Sequence, residues 1–168
     1  VKERVARAEQ DVRDLAEAWG LAVPATFSSR AGAEFKLPYV SCSVEGTVAS
    51  VVFNRPSQLN PLSPTLLDDF EVAWDQATSN PQVTGVILRG SGKAFMAGAD
   101  LKYFADAYDR EDTSGIVAFA KRAAALFARI DSASQHVVAV LDGLSLGGGS
   151  ELALCADTIV GTDRGTIG

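Results

Sequence analysis

VVAVLDGLSLGGGSELALC, residues 137–155, holds a complete structural unit. Val137 to Leu141 is a continuous apolar run of strand length, and Leu152 to Cys155 is an apolar, helix-forming one. Between them stand Gly147, Gly148 and Gly149, with Glu151 just beyond. Three glycines leave the backbone free to approach a ligand closely. The helix they open offers unpaired N–H groups and a positive dipole end to a developing negative charge. Such a turn is a candidate oxyanion site beside a base. Asp157 to Gly161 then reads as another short strand, and strands that alternate with helices favour an α/β fold.

The alternation continues upstream. Tyr39 to Val44 and Val48 to Phe53 are β-rich runs about the turn Glu45-Gly46-Thr47, which predicts a hairpin that Asn54-Arg55-Pro56 breaks. Ser63 before Pro64 is a helix cap followed by a first-turn proline. Leu66, Phe70, Trp74 and Ala77 then carry an apolar face as far as Asn80-Pro81. Gly85 to Leu88 predicts a buried strand, and the Gly/Ala-rich stretch after it a loop. Thr113 to Ile130 predicts a helix with Ile116, Ala120, Ala124 and Phe127 on one side. Near the start, Val5, Ala8, Val12, Leu15 and Trp19 recur at helical spacing up to Gly20. Residues 21–38 lose that periodicity and collect Pro24, Ser28, Ser29, Gly32 and Pro38. The expected organisation is an N-terminal helix and linker over residues 1–38 and a domain over 39–168. No internal sequence repeat is found.

Composition narrows the function. With 168 residues, 47% of them hydrophobic, the chain is long enough to bury the core of one globular domain. A formal net charge of −6 and the lack of a dense Lys/Arg run argue against a nucleic-acid partner. No apolar run approaches the roughly 20 residues that cross a bilayer, and Val1-Lys2-Glu3-Arg4 is no signal peptide. The acids Glu3, Glu9, Asp11, Asp14 and Glu17 speak against a transit peptide, so the expectation is a cytoplasmic or matrix protein without a membrane partner. Cys42 and Cys155 lie far apart without metal or redox spacing and are expected to be small core residues in a reducing compartment. His136 is the single histidine, and no metal site is expected. Opening on Val1 rather than Met suggests a fragment or a processed chain.

Three motifs in order carry a family resemblance: Asn54-Arg55-Pro56 with Leu59-Asn60, Gly92 to Lys102, and Asp142-Gly143 to Glu151-Leu152-Ala153-Leu154. Together they resemble the crotonase (enoyl-CoA hydratase/isomerase) family from about Tyr39 to Gly168. The resemblance implies an α/β fold of the crotonase type, a ββα superhelix, truncated before the C-terminal helices that build the trimer. It implies an acyl-CoA thioester as substrate and no separate cofactor, coenzyme A being part of the substrate. By motif position, the backbone N–H groups of Ala99 and Gly148 would hold the thioester oxygen. Charge collects there as an enolate when a nucleophile adds to the β-carbon, and fixed donors stabilise it by roughly 3 to 4 kcal/mol each. Ala97, Asp100, Leu101, Lys102 and Gly147 would complete the substrate contacts, and Lys93 and Lys102 flank the loop where coenzyme A phosphates or adenine would lie.

Glu151 matches one of the two glutamates with which family hydratases hold and activate water. The second glutamate lies in a Phe-Gly-x-Pro-Glu segment, to which Thr166-Ile167-Gly168 corresponds, so the chain would stop about three residues short of it. The fragment alone is therefore expected to be inactive or nearly so, while the full-length form would be a lyase of the enoyl-CoA hydratase type, a homotrimer or hexamer. Residues 1–38 resemble the join in bifunctional dehydrogenase/hydratase chains, which raises a fused 3-hydroxyacyl-CoA dehydrogenase domain. Gln135-His136 departs from the Lys-Pro of many relatives. A double-bond isomerase and a non-catalytic acyl-CoA-binding or assembly module are the alternatives; isomerases of the family usually lack a glutamate at the Glu151 position.

Two other readings of the glycine turn are weaker. Gly143-Leu144-Ser145-Leu146-Gly147 spells GxSxG between a strand and a helix, as a serine-hydrolase elbow would. In that fold the histidine follows the serine, whereas His136 precedes Ser145. Nor does Gly-Lys-Ser/Thr follow the triplet, as a phosphate loop requires.

Overall fold

The computed structural model describes residues 35–168. The expected helix up to Trp19 and the linker as far as residue 34 lie outside the described residues. Strands β1 (Phe35–Lys36), β2 (Val40–Glu45) and β3 (Val48–Phe53) run antiparallel, with Glu45 opposite Val48 across the expected turn. Gly46 takes φ 58°, a left-handed conformation that glycine adopts without strain. β1 falls within the stretch read as linker.

A short 3-10 turn (Pro56–Gln58) leads to helix α1 (Pro64–Ser79). The Ser63 hydroxyl caps α1 by accepting from the Leu66 N–H at 3.2 Å. Leu66, Phe70, Trp74 and Ala77 are all buried, as their spacing predicts. Phe70 meets Phe53 edge-on at 4.9 Å between ring centroids, and Phe53 meets Phe95 at 5.5 Å. Each such buried ring contributes roughly 1.5 to 3 kcal/mol relative to exposure.

From α1 the chain enters β4 (Gly85–Gly90), which pairs parallel with β3. It then crosses to β5 (Ala94–Ala97) and helices α2 (Leu101–Asp109) and α3 (Thr113–Asp131). It returns as β6 (His136–Leu141), crosses to β7 (Leu144–Leu146) and helix α4 (Gly148–Leu154), and ends in β8 (Thr158–Gly161) and β9 (Thr166–Ile167). The large sheet has the order β1-β2-β3-β4-β6-β8, and the small one β5-β7-β9. Every pairing from β3 onward is parallel. A strand in each sheet followed by helix makes the ββα superhelix, and the chain has the expected α/β fold.

Three local expectations change. The Gly/Ala-rich loop contains strand β5, whose Ala94, Phe95 and Met96 are buried; four residues apolar on both faces carry no alternation to betray a strand. It also runs into α2, capped by the Asp100 carboxylate, which accepts from the N–H groups of Lys102 (3.1 Å) and Tyr103 (3.4 Å). On α3 the buried stripe is Phe119, Ala123, Leu126, Phe127 and Ile130, whereas Ala120 and Ala124 face solvent. Both stripes obey helical spacing, but the one with the bulkier side chains removes more apolar surface from water. Phe119 stacks edge-on against Tyr103 and Phe104 of α2, at 5.4 and 6.0 Å.

Candidate functional site

β5 and β7 pair in parallel with Ala97 opposite Leu146. One residue on, the backbones of Gly98 and Gly147 pass closely: a Cβ placed on Gly147 would stand 3.9 Å from Gly98 Cα. Two residues on are Ala99 and Gly148, which both border Leu62. Gly147 supports the turn with φ 49° and ψ −120°, a conformation that L side chains rarely adopt. Gly149 supports it by contact, since a Cβ there would lie 2.0 Å from the Met96 carbonyl oxygen. The start of α4 is thus pressed onto β5.

The segment Leu59 to Ser63 completes the cradle. Ala97 N–H donates to Leu59 O (3.0 Å), Leu62 N–H to Gly98 O (2.8 Å) and Asp100 N–H to Leu62 O (2.9 Å). The Leu62 side chain also stands 3.6 Å from where a Gly148 Cβ would be. These bonds take up the Gly98 carbonyl and the Asp100 N–H on either side of Ala99. Among the described residues, the N–H groups of Ala99 and Gly148 have no hydrogen-bond partner. Two adjacent unpaired donors at the edge of a parallel sheet suit an oxygen on which negative charge develops.

Glu151 lies in the first turn of α4, its N–H bonded to the Gly147 carbonyl at 2.9 Å. Its side chain is exposed and, among the described residues, makes no hydrogen bond or ion pair. Leu101 is 81% exposed at the start of α2, and Lys93 and Lys102 are exposed as well. Asp100 is occupied structurally, as the cap of α2 and as a partner of Arg55, 3.6 Å away. The structure therefore brings Ala97, Ala99, Gly147 and Gly148 together, with Glu151 in the helical turn that Gly148 opens and Asp100, Leu101 and Lys102 at the start of α2.

Competing nucleophiles fall away. Ser145 is fully buried in the middle of β7, not raised on a turn, so the GxSxG string is no hydrolase elbow. Ser150 donates to the Ser145 carbonyl at 2.6 Å. Burial pushes the Cys42 thiol up. Burial, then Asp131 and Glu151, push up that of Cys155, which donates to the Glu151 carbonyl at 3.2 Å. A raised pKa keeps both as unreactive thiols. His136 stands at the start of β6, its Nε2 3.1 Å from Thr158 Oγ1, away from the glycine turn. Among the described residues no group of three His, Cys, Asp or Glu is placed to hold a metal ion, and no helix is long and apolar enough to cross a membrane.

Two site-building residues entered the sequence reading only as motif letters, with no task assigned. Asn60, fully buried at φ 53°, accepts from Arg55 N–H (2.7 Å) and donates to Ser91 O (3.0 Å) and Ala94 O (2.8 Å), fastening the segment 59–62 to the start of β5. Arg55 lies over the Tyr39 ring at 4.6 Å. Both sit in the first motif, but their bonds join segments far apart in sequence, which spacing cannot reveal.

The geometry has relatives. A Bacillus subtilis (strain 168) protein named "Probable enoyl-CoA hydratase" is 32% identical over 129 residues, covering 77% of this chain and 48% of its own length. A Bacillus anthracis enoyl-CoA hydratase structure superposes with TM-score 0.71 at 30% identity, over 77% of this chain and 50% of that one. An enoyl-CoA hydratase/carnithine racemase structure from Magnetospirillum magneticum gives TM-score 0.73 at 29% identity, over 79% and 49%. The chain spans about half the length of the curated relatives it matches. Residues 43–168 match the enoyl-CoA hydratase/isomerase model, a range that takes in the small sheet, the large sheet from within β2 onward, and the amides of Ala99 and Gly148. The chain belongs to the enoyl-CoA hydratase/isomerase family.

Proposed function

We propose that the complete protein adds water across a 2-trans-enoyl-CoA to give 3-hydroxyacyl-CoA, with the amides of Ala99 and Gly148 as oxyanion donors. The observation that carries this reading is the pair of adjacent N–H groups left without partners. As water attacks the β-carbon, the electron pair of the double bond moves onto the thioester oxygen, and two fixed donors meet the charge there. The enolate then collapses as a proton arrives at the α-carbon.

Glu151 is assigned general acid/base work at one face of this site, in concert with a second carboxylate that the family resemblance implies. Its presence favours hydration over double-bond isomerisation. Ala97, Asp100, Leu101, Lys102 and Gly147 are assigned to the acyl-CoA contacts, and the substrate itself brings the only coenzyme. The family likeness also supports a homotrimer or hexamer of the complete protein in the cytoplasm, and sedimentation would weigh the assembly.

Glu151→Gln in the complete protein is expected to slow crotonyl-CoA hydration by about 10² to 10⁴-fold, the usual worth of a positioned acid/base. Loss of enoyl absorbance measures it, and near-normal turnover would reject the assignment. The exposure of Glu151 favours a second reading, an acyl-CoA-binding module without turnover. Calorimetric titration with a short acyl-CoA beside the same assay separates the two, since binding without hydration selects the module.

A further inference from the structure

Arg55 lies in the turn between β3 and α1, and its guanidinium joins two helix caps. Nη1 donates to the hydroxyl of Ser63, the cap of α1, at 3.2 Å. The same atom stands 3.6 Å from Oδ2 of Asp100, the cap of α2. Nη2 donates to Gln58 Oε1, and the Tyr39 ring lies 4.6 Å beneath the guanidinium carbon. The side chains of Arg55 and Asp100 are only 16% and 20% exposed, so this pair is shielded more than a surface ion pair. Asp100 divides its carboxylate: Oδ1 caps α2, and Oδ2 faces Arg55.

Asp100 follows Ala99 directly: its N–H donates to Leu62 O, and the Leu62 N–H donates to the carbonyl of Gly98, whose peptide carries the Ala99 N–H. We infer that Arg55 is a positioning residue, which fixes Asp100 and through it the direction of the Ala99 N–H. The inference rests on the proposed oxyanion role of Ala99. Without the guanidinium, the Asp100 carboxylate keeps its cap but loses the anchor to the α1 side, and the loop from Gly98 to Asp100 gains freedom. An oxyanion donor displaced by about 1 Å costs on the order of 10²-fold in rate, while ground-state binding, shared with Ala97, Leu101, Lys102 and Gly147 outside that loop, changes less.

The test uses the complete protein with Arg55→Ala, Arg55→Lys, Asp100→Asn and the Arg55→Ala/Asp100→Asn double variant. Asparagine caps a helix about as well as aspartate, so Asp100→Asn removes the ion pair and spares the cap. Arg55→Ala is expected to lower kcat for crotonyl-CoA by about 10 to 100-fold, with KM within about threefold. Arg55→Lys recovers part of it, because the charge remains while the fork is lost. Asp100→Asn gives a similar loss, and the double variant is no worse than the poorer single one. Additive losses, an unchanged kcat, or an effect on KM alone would overturn the inference.

Amide hydrogen exchange over residues 97–103, read with the thermal midpoint, is independent of turnover. Faster exchange there at an unchanged midpoint supports the clamp, and unchanged exchange overturns it. A wild-type protein without hydratase activity rejects the proposed function and leaves the exchange result to decide the clamp. Should Arg55→Ala fail to fold, Asp100→Asn and Arg55→Lys carry both measurements.

Discussion

At single residues, the glycine triplet divides into three different requirements. Gly147 is there for its dihedral angles and Gly149 for closeness, whereas Gly148 has ordinary room, with Leu62 Cδ2 3.6 Å from a built Cβ. The Met96 backbone cannot retreat from a Gly149 side chain, since β5 is paired to β7 and hydrogen-bonded to Leu59. Gly149→Ala is therefore expected to destabilise the fold by about 3 kcal/mol. Gly148→Ala is expected to leave the denaturation midpoint within about 0.5 kcal/mol of wild type. Chemical denaturation of the two variants checks this, and equal losses would contradict the contact argument.

Among elements, legibility followed side-chain periodicity. The hairpin, α1 and β6 were readable because the hydrophobic pattern, a serine–proline cap and turn residues agree at each. β5 and β7 were not, for they are four and three residues long and form only by pairing within the small sheet. The glycines and the carboxylate of the candidate site were visible as types at a spacing. The adjacency of Ala99 to Gly148, and the Arg55 and Asn60 clamps, required the register of the sheet. On α3 an alanine-rich sequence offered two stripes, and volume chose between them. Ala123→Glu would bury a carboxylate among Phe119, Leu126 and Phe127, and is expected to cost more than about 2 kcal/mol. Ala124→Glu, one position on and exposed, should melt as wild type does. Thermal unfolding of both variants decides which face is inward.

For the molecule as a whole, the repetition lies in the path of the chain and not in its letters. Three corners carry it from the large sheet to the small one: between β4 and β5, between β6 and β7, and between β8 and β9. Each corner is bonded to the one before. Leu144 N–H donates to Lys93 O at 3.1 Å, and Thr166 N–H to Gly143 O at 3.0 Å. Thr162 Oγ1 donates to Asp142 at 2.6 Å, joined by Arg164 Nε at 3.1 Å. In such a stack each turn is supported by its neighbours, so a break at the middle corner reaches both sheets. Gly143 is the point of closest approach: at φ 148° a Cβ would meet the Lys93 carbonyl oxygen at 2.1 Å and its carbon at 2.6 Å. Both are backbone atoms whose carbonyl already accepts from Leu144, so relief requires parting the corners. Gly143→Ala is expected to cost about 3 kcal/mol or more and to lose amide protection in β5, β6 and β7 together. The comparison is Gly161→Ala on β8, where nothing lies within 4 Å of a built Cβ, and protection should persist. Loss confined to β7 would mean that the corners stack without supporting one another.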